Sequence, residues 1–408
     1  MRLILIACLL IANLSNVIAQ LKIGLFLPQN ESRITVPFKF INNLIVVPVT
    51  INNQITLNYI LDTGANTPIL TERLFGDIMG LEYARTMMIT GPGMIDSIQA
   101  HVANGISLNL PNGIRGRNMS MLVLEKDYIE LKKNLGEELY GIIGFDVFKR
   151  FIVEIDYENR EVTFHEPSMY KGPSRKYREF DLMLDGTKPY LNTLISQGDK
   201  SDTVKLMIDT GASHALLLDL TMSSVLTVPD TTIQTSLGHG LGGEISGRIG
   251  RIDQLKMGHY TLNDVLVSIP DPGAYSNAIK RGSRNGTIGG NALSRFNVIF
   301  DYLNYKLYLT RNKSYGEKFE YDMSGMRISF YENPKRLEVT GIMKNSPASK
   351  LPVQVGDEVV SINGHNLQNS KLSDIYSVLR SKNGRKVRIK IIKNDQLLEY
   401  RFRLTRMI

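Results

Sequence analysis

Two short segments of the chain end in the same tetrapeptide, and each supplies one carboxylate. Asp62 begins the sequence Asp-Thr-Gly-Ala, and Asp209 begins a second copy of it 147 residues later. Two carboxylates at one site can hydrolyse a peptide bond with a water molecule between them. The ionised carboxylate takes the water's proton, and the protonated one hydrogen-bonds the carbonyl oxygen. Because two neighbouring like charges cannot both form easily, the pair shares one proton. We therefore predict that Asp62 and Asp209 form a catalytic dyad.

The residues after each aspartate suit a symmetric site. Thr63 and Thr210 are expected to hydrogen-bond across a pseudo-two-fold axis and to fix the two facing loops. Gly64 and Gly211 let backbone amides approach the carboxylates, which a Cβ atom would obstruct. An apolar run of β type precedes each aspartate, so we expect both to lie at strand ends in a dry setting where hydrogen bonds are strong.

The two tetrapeptides belong to a longer internal repeat. An apolar-apolar-Gly sequence ends at Gly144 and recurs at Gly289, 145 residues later, and Asp156 and Asp301 repeat with the same spacing. A shared offset across separated landmarks indicates duplication of whole lobes. Frequent Gly, Asn-Gly and Pro turns predict short strands in each lobe. The predicted organisation is a signal segment, two β lobes and a C-terminal domain with a different pattern, over residues 1–19, 20–170, 171–316 and 317–408.

The N-terminus has the features of an export signal. Arg2 precedes an apolar run over residues 3–14, and the small-residue sequence over residues 17–19 resembles a cleavage site. The alternative is a buried N-terminal helix. The only cysteine, Cys8, lies in this segment. No later apolar run is long enough to cross a membrane, so we predict a periplasmic or secreted protein with no transmembrane segment in its mature chain.

Composition argues against several other classes of function. The net charge of +8 arises mainly in residues 317–408, which contain 17 Lys and Arg against 10 Asp and Glu. These charges do not form a long run, which favours a solvated surface over a nucleic-acid site. The six histidines lack metal-ligand spacing. The glycine-rich stretches lack a P-loop lysine. We predict no metal and no cofactor beyond water.

These motifs together resemble the retropepsin and pepsin clan of aspartic proteases over residues 35–311. The two Asp-Thr-Gly-Ala sequences match the active-site signature of that clan, and Ile142-Ile143-Gly144 and Thr287-Ile288-Gly289 are similar to its second signature. The resemblance implies a mostly β fold with two homologous acid-protease-type lobes. It also implies endopeptidase activity on a peptide or protein substrate.

In having alanine after the glycine, both motifs resemble those of retropepsins rather than those of pepsins. Ala65 and Ala212 have no hydroxyl to stabilise the charged dyad. Fewer donors to the ionised form raise the pKa of a carboxylate pair. We therefore expect activity to extend to mildly acidic or near-neutral pH.

Two glycine-rich segments are candidates for the hairpins that cover the cleft in this clan. Gly91 and Gly93 belong to the first segment, and Gly240 and Gly242 to the second. Gly91 and Gly238 each lie 29 residues after the aspartate of their lobe. Ordinary surface turns are the alternative, and the number of hairpins that close over a substrate stays open.

The C-terminal segment, residues 318–408, resembles the PDZ domains of bacterial periplasmic proteases. The resemblance rests on Ser346-Pro347-Ala348 and on the Gly-Asp and Ile-Asn-Gly sequences within residues 355–364. It implies a small α/β domain that binds the C-terminus of a peptide by strand addition. The candidate groove residues are Gly325, Met326, Arg327, Ile328 and Leu372. The alternative is that these residues form the core of the domain.

The sequence leaves three functions open. The favoured one is an aspartic endopeptidase whose PDZ-like domain recruits the C-termini of substrates or partners. The second is a catalytically inactive exported scaffold of the same fold that binds peptides. The third is a peptidase that acts on one dedicated periplasmic protein. The two intact aspartates favour the enzymes over the scaffold.

Overall fold

The computed structural model describes residues 22–93, 97–273 and 284–408. The predicted signal segment lies outside these ranges. Within them, no helix combines the length and the apolar character that crossing a membrane requires.

Lobe 1 consists of short strands joined by tight turns. Asn42 and Asn43 have φ values of 45° and 67°, and Asn52 and Asn53 have values of 49° and 56°. Asparagine tolerates this left-handed conformation, which tight hairpin turns of this kind require at their central positions. The elements of lobe 1 are β1 (Gly24–Phe26), β2 (Arg33–Pro37), β3 (Lys39–Ile41), β4 (Leu44–Ile51), β5 (Ile55–Leu61), β6 (Ile69–Leu70), α1 (Arg73–Ile78), β7 (Tyr83–Ile89), β8 (Ile98–Ile106), β9 (Leu108–Asn109), β10 (Arg115–Arg117), β11 (Met119–Leu124), α2 (Leu131–Leu135), β12 (Gly141–Ile143), α3 (Phe145–Phe148), β13 (Ile152–Asp156) and β14 (Glu161–His165).

Lobe 2 repeats this plan with longer hairpins. Its main sheet has the order β16-β17-β18-β23-β19-β22-β21-β20, and an extra pairing of β17 with β21 curls the sheet. The elements of lobe 2 are β15 (Arg178–Asp181), β16 (Met183–Asp185), β17 (Lys188–Gln197), β18 (Lys200–Asp209), β19 (Leu216–Leu218), β20 (Ile233–Gly240), β21 (Gly243–Met257), β22 (Tyr260–Pro270), β23 (Gly286–Gly289), α4 (Gly290–Leu293), β24 (Phe296–Asp301) and β25 (Lys306–Arg311).

The centres of the two lobes have the same strand arrangement. In lobe 1, β5 pairs in parallel with β12, with Leu61 opposite Ile143. In lobe 2, β18 pairs in parallel with β23, with Asp209 opposite Gly289. In each lobe the strand that leads into the glycine of the second signature, β12 or β23, also pairs with a short antiparallel strand, β6 or β19. The predicted fold of two homologous, mostly β lobes is confirmed.

A six-stranded sheet joins the lobes, with the order β15-β25-β24-β13-β14-β2. Its central pair is β13 of lobe 1 with β24 of lobe 2, in which Val153 lies opposite Phe300. The rings of Phe148 and Phe300 meet edge to face with centroids 5.2 Å apart. One hydrophobic core therefore runs through both lobes.

The C-terminal domain has a core of its own. Its sheet follows chain order, with β26 and β30 at the edges. The helix α5 buries four residues at helical spacing against this sheet: Leu372, Ile375, Val378 and Leu379. The predicted small α/β domain is confirmed. Its elements are β26 (Met326–Tyr331), β27 (Arg336–Ile342), β28 (Glu358–Ile362), α5 (Leu372–Leu379), β29 (Lys386–Lys393) and β30 (Gln396–Arg403).

The segment that follows β25 still packs on lobe 2. The Tyr315 hydroxyl donates to the carbonyl of Thr261 at 2.7 Å. Phe319 is 3% exposed within the core of the lobes, and the guanidinium of Arg295 lies 3.7 Å from the centre of its ring. The boundary predicted between residues 316 and 317 therefore separates Phe319 from its packing partners. We propose a boundary after residue 320.

This packing predicts how a shortened chain will behave. We expect a chain that ends at residue 311 to be less stable than one that ends at residue 320 by about 3 kcal/mol or more, as for removal of a buried phenylalanine. Both chains lack the C-terminal domain, so thermal unfolding of the pair isolates the contribution of residues 312–320. Equal midpoints would show that Tyr315 and Phe319 add nothing to lobe 2.

Candidate active site

The two Asp-Thr-Gly-Ala sequences lie side by side at the junction of the lobes. Asp62 directly follows β5, and Asp209 is the last residue of β18. Each aspartate therefore sits at the C-terminal end of a strand in the centre of its lobe's main sheet. Both are partly buried.

The two threonines form a reciprocal network across the junction. Thr63 Oγ1 accepts from the N–H of Thr210 at 3.0 Å and donates to the carbonyl of Ile208 at 2.7 Å. Thr210 Oγ1 accepts from the N–H of Thr63 at 3.1 Å and donates to the carbonyl of Leu61 at 2.7 Å. Thr63 and Thr210 are 1% and 0% exposed. Buried hydrogen bonds of this kind hold the loops in one relative position.

The two glycines bring each loop against the carboxylates. The N–H of Gly64 donates to Asp62 Oδ1 at 2.6 Å, and the N–H of Gly211 donates to Asp209 Oδ1 at 2.9 Å. A Cβ atom on Gly64 would lie 3.3 Å from both carboxylate oxygens of Asp209, and one on Gly211 would lie 2.2 Å from Cγ of Asp62. Each carboxylate therefore contacts the loop of the other lobe.

The electrostatics of the pair are those of two carboxylates that share a proton. Burial, the charge of Asp209 and a hydrogen bond with Asp209 raise the pKa of Asp62 well above its ordinary value. The N–H of Gly64 and the charge of Lys188 oppose this rise. Asp62 therefore holds its proton at pH values where an exposed aspartate would be ionised.

Lys188 breaks the symmetry of the site. It is the first residue of β17, in which Tyr190 lies opposite Met207 of β18. Continuing this antiparallel register by two residues places Lys188 opposite Asp209. In lobe 1, the equivalent register of β4 and β5 places Leu44 opposite Asp62. Burial, and then the charge of Arg284, lower the pKa of Lys188, while the two aspartates raise it. Lys188 was not predicted as a site residue from the sequence, because its position depends on the hairpin of β17 and β18, which turns at Gly198 and Asp199.

The second signature supports the loops from below. A Cβ atom on Gly144 would lie 2.0 Å from the carbonyl oxygen of Asp62, and one on Gly289 would lie 2.3 Å from that of His214. The backbone of each loop thus rests directly on a glycine. Burial lowers the pKa of His214 to about 4, so its ring is neutral behind the site at any higher pH.

Two hairpins carry the four candidate glycines of the cleft. We name the hairpin of β7 and β8 flap 1 and the hairpin of β20 and β21 flap 2. Gly91 and Gly93 lie in the turn of flap 1, residues 90–97, of which 94–96 fall outside the described residues. Gly240 and Gly242 lie at the tip of flap 2.

The tips of the two flaps touch. The N–H of Gly242 donates to the carbonyl of Pro92 at 2.8 Å, and Gly93 forms a parallel bridge with Gly242. A Cβ atom on Gly93 would lie 2.1 Å from a backbone carbon of Gly242. Leu241 of flap 2 packs on an apolar cluster of lobe 1, as does Ala65 beside the first aspartate. The tip of flap 2 therefore reaches lobe 1 near the active-site loop.

The five candidate groove residues of the C-terminal domain differ in exposure. Met326, Ile328 and Leu372 are 2%, 1% and 2% exposed and belong to the core. Gly325 is buried with a φ of 74°. Arg327 is exposed. A role of these residues in peptide binding stays a prediction.

Comparison with known protein families identifies both parts of the chain. The family described as aspartyl protease matches residues 47–147 and 195–292, and the family described as PDZ domain matches residues 338–393. The first pair of ranges covers the two active-site loops and both flaps. The chain therefore contains an aspartyl protease domain of two lobes, followed by a PDZ domain.

Curated relatives match parts of the chain only. The probable CtpA-like serine protease of Staphylococcus saprophyticus is 22% identical over 206 residues, which are 50% of this chain and 40% of the relative. The protein of the same name from Staphylococcus haemolyticus is 28% identical over 101 residues, which are 24% of this chain and 20% of the relative. This chain thus covers less than half the length of these relatives.

Two solved structures align with most of the chain at low similarity. The aspartic proteinase from Irpex lacteus aligns with a TM-score of 0.41 and 14% identity, over 70% of this chain and 99% of its own. Basic 7S globulin from soybean aligns with a TM-score of 0.41 and 9% identity, over 70% of this chain and 97% of its own.

Proposed function

We propose that the chain is an aspartic endopeptidase that hydrolyses peptide bonds with a water molecule bound between Asp62 and Asp209. In the state with one proton on the pair, Asp62 holds it and donates a hydrogen bond to the carbonyl oxygen of the scissile bond. Asp209, beside Lys188, carries the charge and takes a proton from the water. Charge develops on the oxygen in the transition state, so a donor held in place there accelerates the reaction.

One observation carries this proposal: the two carboxylates meet at a single point between the lobes. A Cβ atom on Gly211 would lie 2.2 Å from Cγ of Asp62, and Asp62 is hydrogen-bonded to Asp209. Aspartates that served only in two unrelated turns would not be expected to lie in contact, because repulsion between their charges lowers stability unless they share a proton.

The test separates an aspartic mechanism from the serine mechanism named for the curated relatives. The purified full-length mature chain is incubated with a peptide library, and cleavage is followed by mass spectrometry. A statine-type transition-state analogue should inhibit it, and a fluorophosphonate that labels reactive serines should not. Inhibition by the fluorophosphonate alone would overturn the proposal. No cleavage of any peptide would favour the inactive peptide-binding scaffold.

The charge of Lys188 should set the upper pH limit of activity. This charge lowers the pKa of Asp62, so Lys188→Met should raise that pKa further. The dyad works with one proton and loses activity when that proton leaves as the pH rises. The basic limb of kcat/KM should therefore move to higher pH in Lys188→Met and stay in place in Lys188→Arg. An unmoved limb in Lys188→Met would show that the lysine does not act on the dyad.

Three finer roles are part of the same proposal. The PDZ domain binds C-terminal peptides of substrates or partners, as its family implies. The two flaps cover the bound substrate. The chain is exported after cleavage of residues 1–19, and acts in a periplasm or outside the cell. Each flap is a hairpin with glycines at its tip, which lets two backbones approach closely.

A further inference from the structure

The PDZ domain packs against lobe 1 at one end of its predicted groove. The helix α2 lies against β26, between the end of that strand and the start of α5. Lys132 forms an ion pair with Glu332 at 2.7 Å, just beyond β26. Glu137 forms one with Lys371 at 2.7 Å, just before α5. The side chains of Lys132 and Glu137 are 18% and 15% exposed, so both pairs are partly shielded from water.

The backbone groups that a peptide would use are bonded within the chain. The N–H of Gly325 and that of Ser324 donate to Asp322 Oδ1 at 2.7 and 3.0 Å. The N–H and carbonyl of Ile328 meet the hydroxyl of Tyr376 at 2.9 and 3.0 Å. A carboxylate of the chain itself therefore already accepts the N–H groups of the loop that contains the candidate groove residue Gly325. A hydroxyl from α5 also bridges the groove to the edge strand β26.

The same side of the PDZ domain holds flap 2. Arg327 of β26 pairs with Glu244 at the start of β21 at 3.4 Å. Tyr321, which precedes β26, lies beside Thr235 of β20. Both strands of flap 2 therefore contact the PDZ domain directly.

A second connection runs through α2. His239 near the tip of flap 2 lies 3.3 Å from Glu130 and 3.4 Å from the side-chain nitrogen of Asn134. Lys133, in the same helix, bonds Glu130 at 3.0 Å and lies 5.9 Å from the ring centre of Tyr331 in β26. One short helix thus contacts the tip of flap 2 on one side and the PDZ domain on the other.

We propose that the PDZ domain is an intramolecular lock that holds flap 2 closed over the cleft. This inference rests on the proposed protease function for its effect on activity, but not for its effect on the flap. The tips of the two flaps are joined, so a protein chain reaches the aspartates only when the flaps part. Contacts of the PDZ domain with β20, β21 and α2 oppose that movement.

The lock consists of several weak contacts that act together. Exposed ion pairs contribute little one at a time. Here they link parts of one chain, so each contact raises the effective concentration of the next. A peptide that entered the groove would displace Tyr376 from Ile328 and would crowd α2. Occupation of the groove and locking of the flap therefore exclude each other.

The test first reverses the charges of two PDZ-domain residues in the lock. It then reverses the charges of their partners in the lobes, which restores both ion pairs. The double variant Arg327→Glu/Lys371→Glu breaks the pairs with Glu244 and Glu137. Adding Glu244→Lys and Glu137→Lys re-forms both pairs with opposite signs. Arg401→Glu is the matched control, because Arg401 lies on the far edge strand β30 and pairs with Glu399.

The first readout is amide hydrogen exchange of flap 2 over residues 233–247, in an Asp62→Asn background that prevents self-cleavage. Exchange should be at least fivefold faster in the double variant and should return towards the parent rate in the fourfold variant. The control should match the parent. Unchanged exchange in the double variant, with the PDZ domain still folded, would overturn the lock.

The second readout is turnover with both aspartates intact. In the double variant, kcat/KM on casein should rise threefold or more. It should rise less on a short fluorogenic peptide taken from the library, since a short chain needs a smaller opening. A fall on both substrates would show that the PDZ domain supports catalysis and would overturn the lock. If the parent cleaves nothing, the protease proposal fails while the exchange experiment still decides whether flap 2 is locked.

Discussion

Asp62→Asn should abolish hydrolysis while the chain stays folded, and Asp209→Asn should do the same. Asp62→Asn removes the acid that donates to the carbonyl oxygen, and Asp209→Asn removes the carboxylate that takes the water's proton, so each variant lacks one half of the acid–base pair. We expect kcat/KM to fall by about a thousandfold or more in each single variant, with little further loss in the double variant, because the pair acts as a unit. Turnover of a library-derived peptide measures the effect.

The control for this prediction is an aspartate outside the site. Asp199→Asn changes an exposed residue in the turn between β17 and β18, and it should leave turnover unchanged. Circular dichroism and thermal unfolding check that the active-site variants keep the fold. Near-normal turnover in a folded Asp62→Asn or Asp209→Asn variant would refute the dyad.

Gly211→Ala should reduce activity far more than Gly64→Ala. A Cβ atom on Gly211 would lie 2.2 Å from Cγ of Asp62 and 2.5 Å from both its oxygens, so the carboxylate would have to move. A displacement of this size at reacting groups costs about a hundredfold in rate or more. A Cβ atom on Gly64 would lie 3.0 Å from the nearest carboxylate oxygen, which small shifts can relieve.

The two glycine variants act as controls for each other, because they make the same change in the two copies of one motif. We expect Gly64→Ala to retain more than a tenth of the parent kcat/KM under conditions where Gly211→Ala is close to inactive. The crystal structure of Gly211→Ala should show the Asp62 carboxylate displaced from its partner. Equal losses in the two variants would contradict the asymmetry of the site.

The sequence was sufficient for the class of fold because duplication leaves a signal that does not depend on packing details. The repeat offsets and the turn residues predicted two β lobes, and the change of pattern after residue 316 predicted a separate α/β domain. Asp62 and Asp209 could be placed together for the same reason, since duplicated lobes related by a pseudo-two-fold axis bring equivalent loops face to face.

Other parts of the site depend on contacts between segments far apart in the chain, which local patterns do not encode. Lys188 lies near the aspartates because of a strand register, and Phe319 belongs to lobe 2 because of a core contact. Asp322 could have been noticed as an acidic residue before a glycine loop. Its bonds to that loop depend on tertiary structure.

The six-stranded sheet between the lobes has a consequence for how the molecule opens. Strands from both lobes hydrogen-bond within this sheet through β13 and β24, and one hydrophobic core crosses it. A hinge at this junction would have to break backbone hydrogen bonds and expose aromatic side chains. We therefore expect the base of the cleft to stay rigid, and access of a substrate to the aspartates to depend on the two hairpins with glycine tips.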